Sequence, residues 1–117
     1  WSWVGGHADG EENLFKVAKK EAEEETGLTN ITPLTEDIFG LNIITVFNHI
    51  KRGKQVNSHL HFDLAFIFEA DEKDLIRIKE DENSGIDWIP IEKVIASSTE
   101  ENMKPIYQRL LDKMKTL

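Results

Sequence analysis

The chain has 117 residues, no cysteine, and 22 acidic against 14 basic side chains, which give a net charge of −8 at pH 7. That length bounds it to a single domain, residues 1–117, around one core. The missing cysteines exclude disulfides and thiolate metal sites, the negative balance excludes a broad nucleic-acid surface, and the lack of a long apolar run or a basic leader excludes a membrane span, so a soluble cytoplasmic protein is expected.

The first six residues, WSWVGG, read as the end of a strand turning into a glycine-rich loop, with Trp1 and Trp3 on one face by strand alternation. A helix is predicted from near Asn13 to Gly27, a residue suited to the left-handed backbone just past a helix end. At about 100° per residue, Leu14, Val17, Ala18 and Ala22 form its apolar face, and Glu21 falls inside the same arc. Glu24 and Glu25 follow Glu21 at i+3 and i+4, so the three carboxylates share one side of the helix while Lys16, Lys19 and Glu23 point away. Like charges beside a packed face repel one another and lose water. A hard divalent cation offsets that cost, because Mg²⁺ or Mn²⁺ prefers carboxylate oxygens and keeps waters and substrate phosphates in its remaining positions. A Glu-rich helix face with no such partner is simply solvated.

Residues 29–37, TNITPLTED, are polar and broken by Pro33, and read as a loop. FGLNIITVFNHI is rich in β-branched and aromatic residues and predicts a strand, followed by the basic turn KRGKQ and a second strand near SHLHFDLAFIFEA, together a hairpin. In the second strand Leu60, Phe62, Leu64, Phe66 and Phe68 fall on one face, assigned to the core, and His59, His61 and Asp63 on the other. That polar face reads as open strand surface, as the lining of a substrate cleft or as a zinc-type cluster; His7 and Asp9 in the earlier loop carry no assigned chemistry. Leu75, Ile76 and Ile78 predict a short edge strand in an otherwise acidic stretch. IDWIPIEKVIAS reads as a short strand breaking at Pro90 into a short helix. Met103, Ile106, Tyr107, Leu110, Met114 and Leu117 recur at helical spacing and predict a C-terminal helix covering one side of the sheet.

Residues Gly6 to Leu28 match the pattern G-x5-E-x7-R-E-U-x-E-E-x-G-U, where U is aliphatic, at Gly6, Glu12, Glu21, Ala22, Glu24, Glu25, Gly27 and Leu28; Lys20 stands where the pattern has Arg. From residue frequencies, a chance match of this kind is on the order of one in 10⁵. The stretch resembles the Nudix box, and the Trp88-x-Pro90 segment before a short amphipathic helix is also similar to Nudix proteins. The resemblance implies an α/β fold, a Nudix-type α/β/α sandwich with a mixed central sheet. Because the box in that family usually follows several dozen residues, it also implies that this chain lacks its N-terminal strands.

The implied activity is metal-dependent hydrolysis of a phosphoanhydride bond in a nucleoside diphosphate linked to another group, by attack of water on phosphorus. The implied cofactor is Mg²⁺, with Mn²⁺ as the alternative. The implied metal ligands are Glu21, Glu24 and Glu25, the Gly5 carbonyl, and Glu82 ahead of Trp88, for which Glu80 competes. Glu21 is either a ligand or the base that takes the proton of water; Lys20 and Glu24 belong with it to the catalytic set. Lys20 replaces the arginine that orients a neighbouring carboxylate, supplying the charge without the bidentate fork, or is an ordinary i,i+4 partner of Glu24. Gly6, Glu12 and Gly27 are the residues that shape the box. Val4 stands where the family commonly has Pro, which leaves both glycines of the loop free to approach a metal or phosphate closely. The alternative from another class is a non-catalytic Nudix-like module that senses a nucleotide or metabolite. The expected partner is a small nucleotide-type molecule, not nucleic acid or a membrane; dimerisation is common among such proteins and is left open by the sequence.

Overall fold

A computed structural model describes residues 1–77 and 84–117. The elements run α1 (Leu14–Thr26), β1 (Thr32–Pro33), β2 (Gly40–Val46), β3 (His49–Lys51), β4 (Lys54–Val56), β5 (His59–Ala65), β6 (Phe68–Glu69), a 3₁₀ turn (Ile91–Lys93), α2 (Val94–Ser97) and α3 (Lys104–Met114). This is the expected α/β class. Its pairings among the described residues are three antiparallel ladders, β2 with β5, β3 with β4 and β1 with β6, where a mixed sheet was expected. β3 and β4, joined by a two-residue turn, can only pair antiparallel, and β2 with β5 and β1 with β6 carry the same two arms of the chain outward in that sense.

α1 begins and ends where the residue types dictate. Asn13 accepts a hydrogen bond on its side chain from the Lys16 amide at 3.1 Å, filling one of the free N–H groups at the helix start. Gly27 closes the other end at φ 75°, its N–H donating to the Glu23 carbonyl at 2.8 Å. The hairpin is continuous in register from Gly40↔Ala65 to Val46↔His59 and again from His49↔Val56 to Lys51↔Lys54. Between the two ladders Asn48 and Ser58 bond through their side chains and the Asn48 amide, an alternative that takes those groups out of the ladder. Arg52 and Gly53 turn the chain, both with positive φ, as a two-residue hairpin turn requires.

The hairpin is turned over relative to expectation. Leu41, Ile43, Leu60 and Phe62, opposite one another through Leu41↔Leu64, Ile43↔Phe62 and Thr45↔Leu60, are exposed, Phe62 to 77%. Gly40, Asn42, Asp63 and Ala65 lie on the inward face, with Asn42 only 4% exposed. The cause is Gly40: a side chain there would stand 2.6 Å from Leu110 Cδ2, so its absence lets α3 seat on that face of the strand. Lys113 of α3 holds the same corner, donating to the Phe39 carbonyl and lying 4.7 Å from the Phe39 ring centroid. Beyond Ala65 the chain bends, and Phe66 and Phe68 turn to Phe15 of α1, each ring centroid 5.6 Å away. Those two aromatics are the part of the predicted apolar face that packs within the fold.

Other expectations shift as well. Residues 1–8 form no strand; Trp3 instead meets the Tyr107 ring edge-on at 5.3 Å, and Ser2 Oγ lies 3.3 Å from the Tyr107 hydroxyl. The predicted loop at 29–37 contains β1, whose Pro33 lies opposite Phe68; a proline tolerates that place because it need not donate to the ladder. Leu75 and Ile76 are outside any strand, Ile78 lies outside the described residues, and Arg77 N–H caps α1 by donating to the Thr26 carbonyl at 2.7 Å. The segment before Pro90 is irregular. Met103 and Tyr107 are the buried anchors of the C-terminal helix, whereas Leu117 lies past its end and is 65% exposed.

Candidate active site

Two of the three box carboxylates on α1 turn toward the glycine loop. The Gly5 N–H donates to Glu25 Oε2 at 3.0 Å. Gly6 lies against the Glu21 carboxylate so closely that a side-chain carbon at that position would stand 2.5 and 2.8 Å from its oxygens. Only glycine leaves room for this contact. Both glutamates are half-buried. Glu24, more exposed, leans instead toward Lys20, with an Nζ to Oε1 separation of 3.9 Å, and Lys19 makes the parallel pair with Glu23 at 3.8 Å. These are ordinary i,i+4 ion pairs on a helix surface, each worth a few tenths of a kcal/mol.

The inward face of β5 meets the same loop. The His7 ring, one residue past Gly6, stands edge-on to His61 at 5.3 Å. His61 in turn lies 4.6 Å from His59 between ring centroids, with the two Nε2 atoms 2.8 Å apart. His59 Nδ1 is 2.7 Å from the Asn57 carbonyl, which can only accept, so that nitrogen carries a proton. In neutral rings His59 Nε2 is therefore the acceptor and His61 the donor between them. Burial first, then the charges of His59 and His7, lower the His61 pKa below its ordinary value against a smaller opposing pull from Asp63. Sequence alternation put His59, His61 and Asp63 together; it carried no signal that His7 would join them.

Deeper on that face, the Asn42 amide donates to Asp63 Oδ2 at 3.3 Å, while Asn42 Oδ1 is buried with no partner among the described residues. Burial raises the Asp63 pKa above the ordinary carboxylate value, with Asn42 and His61 pulling the other way. A carboxyl whose folded pKa is raised contributes stability that is complete below the unfolded pKa and is lost as pH rises through the folded one. Asp63→Asn is therefore expected to melt a few degrees above the parent at pH 7 and to show no such gain at pH 3. Parallel melting curves for the two proteins across that range would rule out this strained carboxylate.

The loop, helix and hairpin just described all fall within residues 1–110, which match the family model described as NUDIX domain. The chain belongs to the NUDIX domain family. No curated protein sequence matches it at a significant level. In this Nudix chain the other box positions are accounted for as follows. Gly27 is the helix-closing residue. Glu12 is exposed and makes no hydrogen bond among the described residues; its neighbour Glu11 accepts from the Asn13 N–H at 3.1 Å. Gly5 meets α1 through its N–H. Glu82 and its competitor Glu80 lie outside the described residues.

The family implies a divalent metal, and the donor chemistry fits one: carboxylate oxygens against Gly5 and Gly6, which put no side chain in the way, suit a hard cation such as Mg²⁺. Among the described residues no three His, Asp or Glu side chains converge as a group able to hold an ion as they stand. Of the three box carboxylates, Glu24 is the one paired with Lys20, at 3.9 Å. Among the described residues no helix is long and apolar enough to cross a membrane.

Proposed function

We propose that this Nudix chain is a metal-dependent pyrophosphohydrolase, cleaving a phosphoanhydride bond in a nucleoside diphosphate linked to another group. The observation that carries the reading is the closure of Gly5 and Gly6 on the Glu25 and Glu21 carboxylates. Such a contact is wasteful for a merely solvated helix face and useful where phosphate oxygens must come close to backbone. Glu21, Glu24 and Glu25 would hold Mg²⁺, or Mn²⁺, with the Gly5 carbonyl and Glu82 as further ligands. When bound, the ion neutralises charge on the phosphate oxygens and lowers the pKa of water.

The chain's own groups do the rest. Glu21, held against Gly6, is a ligand or the acceptor of the water proton. Lys20 restrains Glu24 with a point charge, a looser hold than a guanidinium fork supplies. The glycine loop lets the diphosphate approach the helix, and in-line attack then depends on position rather than on covalent chemistry by the protein.

The test is a panel of nucleoside triphosphates, sugar nucleotides, dinucleoside polyphosphates and nucleotide coenzymes incubated with the protein and Mg²⁺, with products identified by chromatography. Release of a monophosphate or of phosphate from at least one substrate, abolished by a chelator, is expected. Binding of a panel member without cleavage would establish the sensing module instead.

A further inference from the structure

Of the four histidines in the chain, two face each other nitrogen to nitrogen. His59 and His61 are separated by one residue on β5, so strand alternation sets both rings on one face. Their Nε2 atoms are 2.8 Å apart and their ring centroids 4.6 Å. His59 is exposed and His61 half-buried, which leaves the pair open to an ion from solvent.

The spacing of the two nitrogens has a meaning in coordination geometry. Imidazole nitrogens lie about 2.0 Å from a first-row divalent ion, so two at a right angle are roughly 2.8 Å apart, whereas a tetrahedral angle spreads them to roughly 3.3 Å. The observed 2.8 Å is the right-angle spacing, and square-planar coordination by nitrogen and oxygen is the preference of Cu²⁺ and Ni²⁺. The far side of His59 is held as in a ligating histidine. Its Nδ1–H donates to the Asn57 carbonyl at 2.7 Å, which fixes the tautomer and leaves the Nε2 lone pair for a ligand. Asp63, next on the same face, is engaged elsewhere, its Oδ2 accepting from the Asn42 amide at 3.3 Å. The donors are therefore two nitrogens, with water left to fill the other positions, in keeping with the lack of a three-residue cluster among the described residues.

We propose that His59 and His61 chelate one Cu²⁺ or Ni²⁺ ion in adjacent positions of a square plane, at a site separate from the box carboxylates. Each ring gives its Nε2 lone pair to the ion, and the proton on His61 Nε2 passes through solvent to Nδ1 of the same ring. Ligand type keeps the two metal chemistries apart, because imidazole suits Cu²⁺ and Ni²⁺ while carboxylate suits Mg²⁺. The assignment is independent of the hydrolase reading.

The experiment titrates untagged protein with CuCl₂ at about pH 7.5, where both rings are neutral by their ordinary pKa, and follows electron paramagnetic resonance; NiCl₂ binding is followed by calorimetry. One equivalent of Cu²⁺ carrying the hyperfine pattern of two nitrogens is expected. His59→Ala and His61→Ala should each weaken Cu²⁺ binding at least about tenfold, since losing a ligand costs no less than losing its supporting hydrogen bond. His49→Ala is the control: His49 Nδ1 likewise lies 2.9 Å from a carbonyl, that of Phe47, and the ring is not part of the pair. That variant should bind as the parent does, and excess Mg²⁺ should leave the Cu²⁺ in place. The absence of a one-equivalent site, fewer than two nitrogens in the parent spectrum, undiminished affinity in His59→Ala or His61→Ala, an equal loss in His49→Ala, or displacement by Mg²⁺ overturns the proposal. The parent spectrum and the Mg²⁺ competition decide it without reference to the folding of any variant.

Discussion

Glu25→Gln and Glu24→Gln are each expected to lower kcat by roughly 10²–10³-fold, the scale on which loss of one charge-stabilising group slows a reaction. The substitution preserves shape and removes a charge. In Glu25→Gln the amide oxygen can still accept the Gly5 N–H that the carboxylate takes at 3.0 Å, so the loop stays closed and the melting temperature should move little. In Glu24→Gln the loss of the Lys20 pair matters only by tenths of a kcal/mol. A large kinetic loss with an unchanged melt therefore reports on the metal and the phosphates and not on folding. Steady-state kinetics in saturating Mg²⁺ beside thermal denaturation decide the matter; full turnover in either variant would remove that glutamate from the metal set.

The second large effect is expected at Gly6. In Gly6→Ala the new methyl would sit against the whole Glu21 carboxylate, 2.5 and 2.8 Å from its oxygens, so the side chain must move. Glu21 is a long side chain at a half-buried place, and it can swing aside at small cost to stability. What it loses is its position at the loop. Activity should fall about 10–10²-fold, as misplacement of a reacting group by about an ångström does, while the melting temperature shifts by only a few degrees. Isotope-labelled NMR or a crystal structure of the variant would show the displaced carboxylate. Undiminished activity with Glu21 displaced would show that its contact with Gly6 is packing alone.

How much of this was legible beforehand varies with the range of the interaction. Asn13 and Gly27 mark the ends of α1 because a cap depends on residues three or four places away. The hairpin was equally readable, since alternating β-branched residues on either side of a short basic turn leave few other conformations. The carboxylates at Glu21, Glu24 and Glu25 were readable as a set on one side of a helix, but not their individual directions. Helix geometry places Cβ atoms; whether a carboxylate then turns to Gly5, Gly6 or Lys20 depends on what lies opposite. His7 was unreadable as a neighbour of His61 because the two are joined only through the folding of the loop onto β5.

The strand that misled most is β5. Its alternation assigned Leu60 and Phe62 inward and Asp63 outward, and the structure has them the other way round. Hydrophobicity says which face of a strand would gain from burial. It does not say which face a helix can reach, and here α3 reaches the side on which Gly40 has no side chain. By itself, then, the sequence determined the family, the helix with its caps, the three box carboxylates and the existence of the hairpin, all set by spacing along the chain. Only the tertiary structure decided which hairpin face turns inward, which carboxylates meet the glycine loop, and that Trp3 packs on Tyr107. Those outcomes depend on contacts between segments far apart in sequence, where a missing β-carbon or one bend in a strand outweighs the local pattern.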